Sequence, residues 1–164
     1  NNAIIALLIN GRALSVNYVA ENIPAVIEGW YLGEQTGTAI ANILFGDVNP
    51  SGKLTVTIPR NVGQLPVFYN HKPSRFRSYA FSDSEPLFPF GFGLSYTDFE
   101  YSDLTIEKNT LSINDTAHVT VKVKNVGEVA GKEIVQLYIR DEYSSVTRPV
   151  KELKDFQKIF LQLL

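Results

Sequence analysis

The hydrophobic and polar positions of this chain follow one pattern in its first third and another in its last. Residues 3–9 are apolar at every position, and Asn10 and Gly11 end the run. A strand that faces water on one side alternates, whereas a continuous apolar run is typical of an interior strand of a parallel sheet. We therefore predict a covered β-strand over residues 3–9 and a second strand over residues 25–31, after the break at Pro24.

The next stretch predicts a helix followed by a strand. Residues 38–45 place Ile40 and Leu44 on one helical face, and Gly46 stands where a helix C-cap belongs. Residues 53–58 alternate between apolar and polar side chains, which is typical of a half-exposed strand. The apolar face of that strand is predicted to consist of Leu54, Val56 and Ile58.

The pattern becomes all-β from residue 99 onward. Apolar and polar residues alternate in short segments, and residues 125–127 begin a turn between two of them. Short alternating strands joined by turns predict a β-sandwich. The segments are one with Leu104 and Ile106, one with Val119, Val121 and Val123, one with Val135, Leu137 and Ile139 facing inward, and one over residues 153–161.

An aromatic segment separates the two patterns. Residues 86–98 contain several phenylalanines and two glycines, which is too irregular for a helix or strand and too apolar for a solvated loop. We predict an ordered connector held in a groove. The fold class is therefore α/β followed by all-β: a partial parallel-sheet α/β unit over residues 1–85 that ends in a long loop, the linker 86–98, and a β-domain over residues 99–164.

Both units hold few strands for their predicted architecture. The apolar strand at residues 3–9 has one or two candidate neighbours in the chain, although a parallel sheet needs several. A sandwich usually has about seven strands, and fewer can be read here. We infer that the missing neighbours exist elsewhere, in flanking sequence or in a second chain.

Composition and charge exclude several kinds of site. The chain has a net charge of −2 and no cysteine, so it shows no basic footprint for nucleic acid and no polybasic membrane patch. Its apolar runs fall short of the roughly 20 residues that span a bilayer. His71 and His118 are far apart without clustered carboxylates, and no phosphate-binding glycine loop is present. We expect no metal, cofactor, nucleic acid or membrane partner.

Four stretches together resemble glycoside hydrolase family 3, the family of β-glucosidases and β-xylosidases. They read LINGRALSVNYVAENIPAVIEGWYLGEQTGTAIANILFGDVNPSGKLTVTIPR, VGQLPVFYNHKPS, EPLFPFGFGLSYTDFEYSDL and VKNVGEVAGKEIVQLYIRDEYSSVTRPVKELKDFQKIFL. They cover nearly the whole chain in the family's order and spacing. Ala13, Leu32 and the pair Gln35 and Thr36 depart from the family's usual residues without putting the fold in doubt.

The resemblance implies a layout. Such enzymes begin with a TIM-like barrel, continue into an α/β sandwich domain and end in a fibronectin type III-like domain. This chain would hold the last part of the sandwich and a truncated fibronectin-like domain. Its partner would be the barrel with the rest of the sandwich, in the same gene product or as a separate chain. The resemblance is compatible with a periplasmic or secreted location.

The resemblance also implies a chemistry. Family members are similar to other retaining glycosidases in using two carboxyl groups roughly 5 Å apart. The nucleophilic Asp belongs to the barrel, and the acid/base Glu belongs to the sandwich upstream of the LINGR strand. Neither motif is present, so we expect no catalytic residue in this chain. A new pair is not expected among the acidic residues of the first part, which are Glu21, Glu28, Glu34 and Asp47.

A few residues remain candidates for contact with substrate. His71, Lys72 and Arg75 lie in a polar loop that either forms the rim of the sugar pocket, contacts the absent barrel, or only orders the loop. Trp30 and Tyr31 either stack on a sugar or pack at a strand end.

Two functions follow from these observations. The first is the C-terminal part of an exo-glycosidase that hydrolyses terminal β-linked sugars, with β-glucosides as substrate and no activity in the isolated chain. The alternative is a non-catalytic fibronectin-like module that binds carbohydrate or protein.

Overall fold

The first part of the chain combines a parallel strand pair with two helices. The structure is a computed structural model that describes residues 4–73 and 83–163. Strands β1 and β2 pair in parallel, with Leu8 opposite Glu28, and the connection between them carries the short helix α1. The four elements are β1 Ile5–Leu8, α1 Asn17–Asn22, β2 Ala25–Glu28 and α2 Thr36–Leu44. Their order and type confirm the predicted α/β arrangement.

Strand β1 has little cover from the described part of the chain. Within residues 4–73 and 83–163 it pairs with β2 alone. Ile5 is 48% exposed, and Leu7 and Ile9 are exposed as well. Ala6 and Leu8 on the other face are half-buried, so the strand is open on the face of Ile5 and Leu7, and such an open apolar face is an aggregation hazard. These exposures agree with the prediction that further neighbours of this strand lie outside the chain.

Helix α2 buries part of its predicted apolar face and ends within one residue of the predicted position. Ile40 is buried, whereas Leu44 on the same predicted face is 42% exposed. The helix ends after Leu44, and Gly46 follows with φ of +83°, a conformation that glycine adopts without steric cost. No helix of the described ranges is long and apolar enough to cross a membrane.

The predicted strand over residues 53–58 is wrong. The segment bends at Thr55 and Val56 and forms no ladder: Leu54 exchanges backbone hydrogen bonds with Phe92 and Gly91, and Ile58 forms an isolated antiparallel bridge with Phe88. Its partner is the aromatic linker, which turns at Phe90 and Gly91, so the contacts on either side of the bend do not join into a ladder. The predicted face does not hold either, because Ile58 is 3% exposed whereas Val56 is 41% exposed.

The second part is all-β, as predicted. Strands β3 and β4 form one antiparallel pair, and β5 and β6 form another. Val119, Val121 and Val123 are half-buried between exposed polar neighbours, which confirms the alternation. The inward position predicted for Ile139 is wrong, because the strand ends there and the side chain is 49% exposed. The strands are β3 Phe99–Ile106, β4 Val119–Asn125, β5 Gly131–Ile139 and β6 Glu152–Leu161.

The aromatic linker, residues 86–98, packs between the two parts. The Phe90 ring stacks on Tyr69 with centroids 4.2 Å apart, and Phe88 stacks on Phe92 at 5.4 Å. A side chain at Gly93 would collide with the carbonyl oxygen of Gly52, so only glycine permits this approach. The linker is therefore an ordered connector, as its composition predicts.

Asn49 joins the α/β part to both the linker and the β-domain. Its Oδ1 accepts hydrogen bonds from Ser95 Oγ at 3.0 Å and from Tyr96 N at 2.8 Å. Its Nδ2 donates to Ala130 O at 3.1 Å, just before β5. One half-buried amide thus uses donor and acceptor together to fix three segments relative to one another.

Candidate functional site

The loop that holds the predicted rim residues lies against the β-domain. The carbonyl of His71 accepts a hydrogen bond from Val150 N at 2.9 Å, and Tyr69 Oη accepts one from Leu153 N at 3.2 Å. His71 Nδ1 lies 3.0 Å from Lys72 O. His71 is half-buried and Lys72 is exposed, whereas Arg75 lies outside the described residues. The loop thus holds Lys72 at the surface beside the connection from β5 to β6.

A cleft of about 360 Å³ lies along that connection. It runs from Pro73 to the polar loop that joins the two strands, where Arg148 Nε lies 3.9 Å from Asp141 Oδ2. The loop lining is rich in hydrogen-bonding side chains: Arg140, Ser144, Ser145, Thr147 and Arg148. Sequence reasoning missed this loop as a neighbour of His71. Its length and polarity were the available signal, because long loops in compact domains are often functional.

A second polar site lies where β1 and β2 end. Glu28 is the last residue of β2, and its Oε1 accepts a hydrogen bond from Trp30 N at 3.2 Å. Burial raises the pKa of the Glu28 carboxyl, and the Trp30 N–H and the Asn10 side chain offset part of that rise. Among the described residues, Asn10 Oδ1 is buried without a hydrogen-bond partner. Sequence reasoning left Glu28 open and did not consider Asn10.

The two aromatic residues after Glu28 do not pack as a core pair. Trp30 is half-buried and has φ of +49°, which is rare for a bulky side chain. Tyr31 is 78% exposed, and its ring lies against the backbone of Gly11. A Cβ at Gly11 would come within 2.6 Å of the ring. The other face of the Tyr31 ring is therefore open to a ligand or to another part of the protein.

The remaining candidates do not assemble into a site. Glu21, Glu34 and Asp47 are exposed, and His118 is exposed next to β4. In the part of the chain that the structure describes, no group of three or more histidine, aspartate or glutamate side chains could hold a metal ion.

A network of one largely buried ion pair and the partly exposed Tyr101 spans the junction between the two parts. Glu133 on β5 pairs with Lys53 at 3.1 Å and accepts a hydrogen bond from Tyr101 Oη at 2.9 Å. Burial raises the pKa of the Tyr101 hydroxyl, and the bond to Glu133 and its negative charge raise it further. The network lies beside the linker, since Lys53 Nζ donates to Gly93 O, and this position indicates that it stabilises the arrangement of the two parts.

Comparison with known proteins identifies both parts of the chain. Residues 1–96 match the glycosyl hydrolase family 3 C-terminal domain, and residues 133–163 match a fibronectin type III-like domain. A β-xylosidase of Formosa agariphila is 53% identical over 163 residues, which cover 97% of this chain and 22% of that protein. The thermostable β-glucosidase B of Acetivibrio thermocellus is 46% identical and is matched over 96% of this chain and 22% of its own length.

Solved structures agree with these matches. A β-glucosidase from Erythrobacter marinus is 56% identical and superposes with a TM-score of 0.94, covering 97% of this chain and 21% of that one. A β-glucosidase from Listeria innocua in complex with glucose is 38% identical with a TM-score of 0.91, covering 97% and 24%. The chain spans about a fifth of the length of its curated relatives. It belongs to glycosyl hydrolase family 3, and it carries the family's C-terminal domain together with a fibronectin type III-like domain.

Proposed function

We propose that this chain is the C-terminal portion of a retaining exo-glycosidase that removes terminal β-linked sugars, of the β-glucosidase or β-xylosidase type. The observation that supports this proposal most is the similarity to such enzymes over 97% of the chain at 53% and 56% identity. In this proposal residues 1–85 complete the α/β sandwich domain, residues 86–98 link it, and residues 99–164 belong to the fibronectin-like domain.

The proposal assigns the two carboxyl groups of the reaction to the part of the enzyme that this chain lacks. A retaining mechanism needs a nucleophile and an acid/base residue about 5 Å apart on either side of the scissile bond. Of the acidic residues in the α/β part, Glu21, Glu34 and Asp47 are exposed. Glu28 accepts a hydrogen bond from Trp30 N at the end of its own strand. The isolated chain is therefore expected to be catalytically silent.

The proposal also assigns a partner to the open strand. The exposed apolar residues of β1, which include Ile5 and Leu7, fit the interior of a larger parallel sheet. The rest of the sandwich domain and the barrel would cover them. The polar loop with His71, Lys72 and Arg75 would lie at the rim of the substrate pocket, a proposal supported by the contact of His71 with the β5–β6 connection beside a cleft.

The decisive experiment compares the isolated chain with the complete enzyme on 4-nitrophenyl β-glucoside and β-xyloside. We expect hydrolysis by the complete enzyme and none by the chain. Mixing the chain with the separately produced remainder should give co-elution in size-exclusion chromatography and restore activity. Hydrolysis that co-purifies with the isolated chain would contradict the proposal. So would a chain that is monomeric, melts in one sharp transition and does not bind the remainder of the enzyme.

The rim assignment has its own test in the complete enzyme. Lys72→Ala should raise KM because it removes an exposed cation beside the pocket, whereas Lys132→Ala, an exposed lysine on β5, should not. Equal KM values for the two variants would remove Lys72 from the rim.

A further inference from the structure

The sheet formed by β5 and β6 has one face toward the other strand pair and one face away from it. Glu133 lies on the first face, because its Oε1 accepts a hydrogen bond from Tyr101 Oη on β3 at 2.9 Å. Ile159 pairs with Glu133 and is half-buried on the same face. Successive side chains of a strand point to opposite faces, so Lys158 and Phe160 point away from the β3–β4 pair. The interior of a sandwich built on this sheet therefore excludes these two side chains.

Two phenylalanine rings are exposed on the outward face. Phe156 and Phe160 are 65% and 57% exposed, and Lys158 lies between them on the same face. At about 3.3 Å per residue, the Cα atoms of the two phenylalanines are about 13 Å apart along the strand. Phe156, Lys158 and Phe160 thus form a row of ring, ammonium group and ring, which we call the β6 stripe.

The charge of the β6 stripe is positive, although the chain as a whole has a net charge of −2. Lys158 is exposed and has no ion-pair partner in the part of the chain that the structure describes. Glu133 and Asp155 project from the opposite face of the sheet. Glu152, at the start of β6, is paired with a lysine at 3.3 Å. The stripe therefore favours a negatively charged partner.

The shape of the stripe narrows the class of that partner. Exposed apolar patches rimmed by polar groups mark interaction sites. The stripe is one strand wide, which fits a linear polymer better than a protein interface, because such an interface buries about 800 Å² per partner. Separated rings suit the apolar faces of sugar units along a polysaccharide. A neutral polysaccharide would leave the ammonium group of Lys158 unpaired, whereas one with carboxylate or sulfate groups would pair with it.

We propose that the β6 stripe binds an acidic polysaccharide. Phe156 and Phe160 stack on sugar rings, and Lys158 pairs with a carboxylate or sulfate group between them. The site holds a polymer on the β-domain and takes no part in bond cleavage. It goes beyond the proposed exo-glycosidase activity and does not depend on it, since it uses no group of that reaction.

The test is affinity electrophoresis of the complete enzyme in gels that contain hydroxyethylcellulose, carboxymethylcellulose or cellulose sulfate. The three polymers share one backbone, and the last two distinguish carboxylate from sulfate as the bound group. We expect at least one charged polymer to slow the parent enzyme and the neutral polymer to slow it much less. Phe160→Ala should weaken binding to that charged polymer about tenfold, and Lys158→Gln should weaken it about two- to fivefold.

Matched variants separate binding from folding. Tyr143→Ala removes a ring that is 93% exposed in the β5–β6 connection, and Lys124→Gln removes an exposed charge from β4, so neither should change the retardation. Lys158→Gln changes only an exposed side chain, so it reports even if Phe160→Ala fails to fold. Equal retardation by charged and neutral polymers, or no retardation by any of the three, would overturn the inference. Full retardation of both stripe variants, or equal losses in the control variants, would overturn it as well.

Discussion

Lys53 Nζ lies 3.1 Å from Glu133 Oε2, and this contact joins the α/β part to strand β5 of the β-domain. The two side chains are 15% and 10% exposed, so the pair is largely removed from solvent. Lys53 Nζ also donates to Gly93 O at 2.8 Å. One ammonium group therefore neutralises a buried carboxylate and satisfies a linker carbonyl, and it holds the two parts of the chain in one arrangement.

Removing the ammonium group should destabilise the junction. Lys53→Met leaves the Glu133 carboxylate buried without its cation, and we expect a loss of about 3 kcal/mol in the free energy of unfolding of the complete protein. Adding Glu133→Gln should recover part of that loss. The control is Lys122→Met, because the pair of Lys122 with Asp103 is 72% and 70% exposed and should contribute little. Urea denaturation measures the three variants, and equal losses for Lys53→Met and Lys122→Met would contradict this account.

Tyr101 should resist ionisation in alkaline solution. Burial and the hydrogen bond to Glu133 raise the pKa of its hydroxyl above the usual value of 10. The stabilising contribution of the protonated hydroxyl is complete below the unfolded pKa and is lost as pH rises toward the folded pKa. Tyr101→Phe should lower stability by about 1–2 kcal/mol at neutral pH and flatten the decline above about pH 10.

Ultraviolet difference titration of the tyrosines provides the measurement for Tyr101. The absorbance change that occurs at the highest pH should be absent in Tyr101→Phe. It should remain in Tyr143→Phe, which changes an exposed ring. If this absorbance change remains in Tyr101→Phe, the Tyr101 hydroxyl is not the group with the raised pKa.

Gly93 should not tolerate any side chain. A Cβ at this position would overlap the carbonyl oxygen of Gly52, which belongs to backbone that cannot rotate away. Gly93→Ala should therefore cost about 2 kcal/mol or more and lower the melting temperature. Gly37→Ala is the matched change, since nothing lies within 4 Å of its added carbon and alanine favours helix α2. Differential scanning fluorimetry should show opposite shifts for the two variants.

Glu28→Gln should change how stability depends on pH. Burial raises the pKa of Glu28 above its usual 4.5, so the folded state holds its proton to higher pH than the unfolded state does. The contribution of the protonated form is complete below the unfolded pKa and is lost as pH rises through the folded one. Glutamine does not titrate, so the variant should gain on the parent protein as pH rises above the usual value of 4.5. Glu21→Gln, which removes an exposed charge from α1, should not reproduce this gain in urea titrations.

Periodicity predicts the elements of this fold wherever one pattern acts alone. The continuous apolar run gives β1, the helical face around Ile40 gives α2, and the alternation of Val119, Val121 and Val123 gives β4. Residues 53–58 alternate equally well, yet they form no strand, because the segment bends at Thr55 and Val56 while its partner, the linker, turns at Phe90 and Gly91. Strand formation depends on the second segment, which a local pattern does not describe.

The candidate sites depend even more on distant contacts. His71 stands out in the sequence, but its contact with Val150 joins segments almost 80 residues apart. Asn10 looks like a turn residue, and its buried oxygen becomes apparent only when β1 and β2 are set side by side. Glu28 interrupts an apolar stretch, which was a usable signal, although the stretch itself does not indicate whether the carboxylate faces solvent or the strand end.

The amide of Asn49 has a practical consequence for exchanging modules between enzymes of this kind. It reaches past the aromatic linker to Ala130 while holding the linker itself through Ser95 and Tyr96. A chimera that joins two enzymes within the linker would separate the β-domain from the Asn49 that orients it. A transplanted segment that begins ahead of residue 49 would include this asparagine and should keep the native orientation of the β-domain.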